Sequence, residues 1–252
     1  MFCTIISDAY KNDEREKMYE WIDDLCSPRD NWGWASNGVY CYWNYKTKEI
    51  LYIGLASDLG NRFRQHNGLV NCDENGCKIK EINNYFEANE KLGFSIIVQP
   101  SRQQISNFRN SNTPLHHLNS DENDTLKENL GSIEGNLIKA HELCYGKIPC
   151  WNKINGAISR SDFNDFSILD FLVLKRISFL NAKSSLRELS KNNEFAFHEY
   201  AVLHAVRHMN VYHPNRCSFL EMIQEFEKID IFANVHNYKG IYEYINNHNL
   251  SI

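Results

Sequence analysis

The chain reads as an α+β protein: a small α/β sandwich on a central antiparallel sheet, followed by an all-helical C-terminal region. Three observations predict this. Two β-forming runs, Gly38 to Trp43 (GVYCYW) and Glu49 to Gly54 (EILYIG), flank the polar turn NYKTK and read as a hairpin. A third apolar run, Phe94 to Gln99, is stopped by Pro100, and beyond Ser159 only helical patterns occur. The 252 residues suit one large domain or two ordinary ones, since single cores stop growing near roughly 250–300 residues. With 42% hydrophobic residues and a net charge of −5, the composition is that of a globular chain. It excludes coating of nucleic acid by bulk positive charge, and leaves room for a local basic cleft.

Taken in order, residues 1–30 hold eight Asp/Glu and four Lys/Arg, a net of −4 that leaves −1 for the rest. Met18, Ile22 and Cys26 fall on one face of a helix over 12–26, so residues 1–30 form an acidic N-terminal unit whose charged face is solvated. The start has no basic segment followed by an apolar stretch and a cleavage site, and a cytoplasmic location is expected. After the hairpin, Ser57 and Asp58 can start a helix in which Leu59, Phe63 and the Arg62/His66 pair fall at helical spacing. This order gives a sheet of about three strands and a domain over 31–159, with an insertion at about 70–130. Ser101 to Asn129 is polar and aperiodic, and reads as a long loop. A helix then begins near Ser132, with Glu134 in its first turn, and ends around Gly146.

Residues 160–252 read as a helical accessory domain for target recognition or dimerisation, with helices near 165–180, 184–191, 195–209, 218–229 and 239–248. Phe166 to Leu180 is the most apolar run, but it contains Asp170, Lys175 and Arg176 and falls short of the about 20 apolar residues a bilayer span needs. It reads as a buried helix, and no membrane partner is expected. Ser184 to Val206 outlines a helix-turn-helix, yet no glycine marks the turn and the second helix is apolar, which favours an ordinary bundle. Lys183, Arg187, Lys191, Arg207 and Arg216 make this region a place for target selection.

Eight scattered cysteines read as reduced thiols. Cys72/Cys77 and Cys144/Cys150 lack the tighter spacing of structural zinc sites, so zinc is disfavoured. His116-His117-Leu118-Asn119 lies in the polar segment without a flanking hairpin, and is read as coincidence.

Gly38-Val39-Tyr40, Tyr52-Ile53-Gly54, then Arg62 and His66 four residues apart, then Glu134 on a helix and Asn152 after a proline, form an ordered set. This set resembles the GIY-YIG nuclease family over about residues 34–155, departing from it in Val39 and in the long stretch between His66 and Glu134. The resemblance implies a Mg²⁺-dependent endonuclease, with Mn²⁺ as a substitute, acting on DNA. It implies that Tyr40 deprotonates or positions the attacking water, that Tyr52 and Arg62 orient and neutralise the phosphate, and that His66 hydrogen-bonds Tyr40 or relays its proton. Glu134 would hold the metal, Gly38 and Gly54 would permit close packing, and Asn152 would tie the Glu134 helix to the hairpin.

The residue chemistry agrees with these roles. One carboxylate on a rigid helix suits a cation that keeps several waters. A planar guanidinium suits phosphate. A phenol with a pKa near 10 needs a cation and a hydrogen bond to act as a base, which Arg62, Lys46 or Lys48 would supply. A restriction or phage-defence role fits best; homing and branched-DNA repair are alternatives, and a non-catalytic nucleic-acid-binding module is the alternative of another class. Double-strand cutting by one metal site per chain calls for a homodimer or two successive nicks.

Overall fold

The computed structural model describes residues 4–26, 33–72, 76–100, 122–153, 166–212 and 218–252. Its centre is a four-stranded, fully antiparallel sheet in the order β1-β4-β2-β3. The strands are β1 (Thr4–Lys11), β2 (Trp34–Asn44), β3 (Ile50–Ala56) and β4 (Lys91–Pro100). β2 and β3 form the expected hairpin, with Tyr40 opposite Gly54 and Tyr42 opposite Tyr52. The expected third strand is β4, which pairs with β2 on its other side. β1 was not foreseen: Thr4–Lys11 pairs along its whole length with β4, so residues 1–30 are not a helix alone.

Side chains alternate across the sheet, and each face carries its own apolar cluster. On one face, Ile6, Tyr10, Tyr40, Tyr42, Phe94 and Ile96 pack against α1 (Arg15–Leu25), α2 (Leu59–His66) and α3 (Ile79–Ala88). Asp58 caps α2 by accepting the Asn61 N–H at 2.8 Å, as its sequence position suggests. α3 lies in a stretch read as insertion from sequence. On the opposite face, Ile5, Val39, Cys41, Trp43 and Ile97 pack against α4 (Glu122–Tyr145) and α5 (Ser167–Leu172).

α4 begins ten residues before the expected start at Ser132. Glu134 therefore stands in mid-helix, which removes the reading of it as an ordinary first-turn acid stabilised by the helix dipole. Residues 101–121, with the His116-His117 segment, lie outside the described residues, as do 154–165 and Arg216. The helix expected over 165–180 stops at Leu172. Leu174 takes φ 56°, a left-handed turn, and Arg176 folds back to Asp170 at 2.9 Å.

The boundary expected near residue 160 falls inside a shared core. Ile168, Leu169 and Leu172 belong to the second face, whereas Leu186 and Leu189 of α6 (Leu186–Lys191) belong to the first. α7 (Asn193–Phe197) runs through a π-helical stretch, His198–Leu203, into α8 (His204–Tyr212). With α9 (Phe219–Ile229) and α10 (Tyr238–Asn247), this segment encloses a third cluster around Val202, Leu203, Val206, Ile223 and Ile241. The apolar second helix of the outlined helix-turn-helix is thus used for packing.

Two arginines, each in an ion pair, lock the C-terminal helices to β1. Asp8 accepts from the backbone and guanidinium of Arg187, each at 2.9 Å. Arg207 meets Glu199 at 2.7 Å, with both side chains fully buried, and also donates to the Thr4 hydroxyl and to the carbonyls of Phe179 and Asn181. Arg187 and Arg207 are therefore structural groups, not the target-reading cations that sequence suggested. No helix among the described residues is long and apolar enough to cross a membrane.

Candidate active site

The alternation of β2 and β3 sends Tyr40, Tyr42, Tyr52 and Gly54 to the face covered by α2. Helical spacing then brings Arg62 and His66, one turn apart, over the same spot. The Tyr40 hydroxyl lies 2.7 Å from His66 Nε2 and 3.4 Å from Arg62 Nε. Its tautomeric partner is set from behind: the Lys78 backbone N–H donates to His66 Nδ1 at 3.0 Å. An imidazole that accepts at Nδ1 carries its proton on Nε2, so His66 donates to Tyr40. Arg62 donates to the same oxygen, and the Tyr52 ring lies 5.9 Å from the Tyr40 ring.

Both glycines have a steric reason. A Cβ on Gly54 would come within 2.5 Å of the Tyr40 hydroxyl and 2.7 Å of the Tyr52 ring. One on Gly38 would come 2.6 Å from the Ile97 carbonyl oxygen across the β2–β4 pairing. Gly54 thus makes the space in which the two tyrosines meet.

The free edge of β3 places the carboxylate. Three successive outward-facing residues are engaged there: the Leu51 carbonyl accepts from Trp151 at 2.8 Å, and Ile53 exchanges two bonds with the Asn152 amide at 3.0 and 2.8 Å. Next along the edge, the Leu55 N–H faces the Glu134 carboxylate and favours its charged form. Asn152 thus ties the segment after α4 to the hairpin, the contact that the resemblance implied. Glu134 is half-buried beside Arg62 and Tyr52.

Burial shapes the charges. It raises Glu134 to about 7, against the pull of the Leu55 hydrogen bond and Arg62. Burial, then Arg62 and Lys78, press His66 down to about 2, so the ring is neutral at any ordinary pH. Tyr40 is held well above 10 by burial, with Arg62 opposing. Arg62 is itself fixed by Gln65 Oε1 and the Gly76 carbonyl, each at 2.9 Å.

Lys46 and Lys48 do not join this group. They sit in the hairpin turn, and the Lys48 ammonium lies 4.3 Å from the centre of the Trp43 ring, on the other face of the sheet. Sequence reasoning missed four supporting residues. Asn67, just after α2, donates to the Tyr42 hydroxyl and accepts from Tyr10, bracing the floor of the site. Lys78 is the fourth, and no sequence signal marked it.

The donor set fits a hard cation. The one half-buried carboxylate is the donor that Mg²⁺, which keeps most of its waters, would use, while the Arg62 guanidinium beside it opposes a second cation. Among the described residues no cluster of three or more His, Cys, Asp or Glu is placed to hold a metal. Cys72 and Cys77 are bonded to each other, which departs from the expected free thiols and leaves neither for zinc. Cys144 and Cys150 are free and exposed. Comparison of the chain with family models, curated proteins and solved structures returned no match.

Proposed function

We propose that the protein is a Mg²⁺-dependent endonuclease that hydrolyses phosphodiester bonds of DNA. The observation that carries this reading is the Tyr40 hydroxyl, which faces two N–H donors, His66 Nε2 and Arg62 Nε, with Tyr52 and Glu134 beside it. Two donors on one phenol oxygen, one of them a cation, favour the phenolate, which ordinary burial opposes. Once its own proton has passed to solvent, the Tyr40 phenolate takes a proton from the attacking water as the new P–O bond forms and the bond to the 3′ oxygen breaks, the departing oxygen being protonated by solvent. Arg62 pairs with the phosphate oxygens as charge gathers on them. His66 holds Tyr40 in place; with both ring nitrogens engaged and the ring neutral, it is a positioning group and neither the base nor a relay. Glu134 would hold Mg²⁺, which when bound supplies charge neutralisation at the phosphate and the departing oxygen.

One such site per chain makes double-strand cutting the work of a dimer or of two successive nicks. A restriction or phage-defence role remains the reading for a nuclease with a helical C-terminal addition. The test is digestion of unmodified, methylated and branched DNA in Mg²⁺ or EDTA by wild type and Glu134→Gln. Metal-dependent cutting lost in the variant supports the reading. Tight binding with no cutting in Mg²⁺ or Mn²⁺ would replace it with a binding module.

A further inference from the structure

We propose that Lys78 is a second phosphate-gripping cation of this site, acting beside Arg62 on the nucleic-acid backbone; the assignment rests on the nuclease reading. The Lys78 side chain is only 5% exposed, yet among the described residues the carboxylate paired with its ammonium, Glu81, stands 3.7 Å away on the rim, beyond hydrogen-bond reach. The other charged groups acting on it among the described residues are cations, Lys153 and Arg62. A buried ammonium facing like charges, with one loose counter-ion, is a poor arrangement for a purely structural group. It becomes a good one when an anion enters.

The position suits a phosphate. The ammonium lies 5.0 Å from the centre of the Tyr52 ring, and so beside the hydroxyl pair of the site. Lys78 stands at the N-terminal cap position of α3 without a side-chain capping bond, so the N-terminal amides add positive potential near it. The short segment before it delivers both cations together: the Gly76 carbonyl anchors Arg62, and two residues later the Lys78 N–H anchors His66. Because that anchor is a backbone group, replacing the side chain leaves the tautomer of His66 intact.

The test compares wild type, Lys78→Met and Lys78→Arg in two assays. In EDTA, fluorescence anisotropy of a labelled DNA duplex measures affinity against salt. The Met variant should bind about 5- to 10-fold more weakly, with the salt slope reduced by about 0.9 for one lost phosphate contact. In Mg²⁺, its single-turnover cleavage should fall about 100-fold, with Arg restoring part of the rate. Nitrogen chemical shifts of His66 should be unchanged in both variants, which separates loss of a contact from damage to the fold. An unchanged affinity and salt slope in Lys78→Met, or no DNA binding by wild type, overturns the assignment. Wild type that binds through Lys78 yet never cuts defeats the nuclease reading and leaves the anion contact standing.

Discussion

Glu134→Gln separates a carboxylate placed for a metal from one that merely caps a strand edge. Raising the carboxyl from 4.5 to about 7 means that its ionisation opposes folding. For a fully enclosed group the cost would be about 3.4 kcal/mol, from about 1.4 kcal/mol per pH unit. Glu134 is half-buried, and solvent screening reduces this to about 1.5–2 kcal/mol. The sign follows from linkage: below pH 4.5 the group is protonated folded and unfolded, and costs nothing. Between 4.5 and about 7 the unfolded chain ionises first, so wild-type stability falls relative to Gln and then levels off. Urea unfolding of both proteins should therefore coincide near pH 4 and differ by about 1.5–2 kcal/mol at pH 8, with Gln the more stable. Mg²⁺ at pH 8 should stabilise wild type and not the variant, and cleavage by wild type should rise with pH toward about 7. A stability difference that does not change with pH, or equal Mg²⁺ stabilisation of both proteins, would refute the reasoning.

Tyr40→Phe keeps the ring packing and removes the oxygen that His66 and Arg62 face; single-turnover cleavage should drop at least about 100-fold while DNA affinity stays within about 2-fold. Gly54→Ala drives a methyl into the Tyr40 and Tyr52 contact. It should cost about 1–3 kcal/mol in denaturation and about 100-fold in rate, since displacement near 1 Å is enough for that loss. Arg207→Ala leaves Glu199 buried without its partner, and should lower stability by about 3–5 kcal/mol, seen as a fall in Tm of roughly 10 °C. Cleavage at low temperature should survive, because the pair is remote from Tyr40 in the chain and lies in the C-terminal packing.

The residues with chemistry were legible where the information was local. Strand alternation around Tyr40 and Tyr52, and the one-turn spacing of Arg62 and His66, each lie within a few residues and fix a face. Asn152 was expected only through the family resemblance, since nothing local in the sequence ties it to the edge strand. What escaped depends on contacts far apart in sequence. Thr4–Lys11 becomes a strand by pairing with residues 91–98, and its three β-branched residues at 4–6 were the only local hint. The early turns of α4 are polar, so no periodicity announced them. Lys46 and Lys48 looked close to Tyr40 along the chain, but the turn carries Lys48 to the opposite face. The role of Lys78 exists only once α3 is folded against α2.

The edges of the sheet carry a consequence for handling the protein. An open strand edge invites pairing with another chain. Here both are occupied: Ile5 of β1 exchanges backbone bonds with Leu180 and Ala182, and β3 is covered by Trp151, Asn152 and Glu134. The side chains that align the candidate metal site therefore also shield the hairpin from self-association. Inactive variants made at Asn152 or Glu134 for crystallography expose unpaired backbone groups on β3, and light scattering on concentration should find Asn152→Ala the more aggregation-prone of the two.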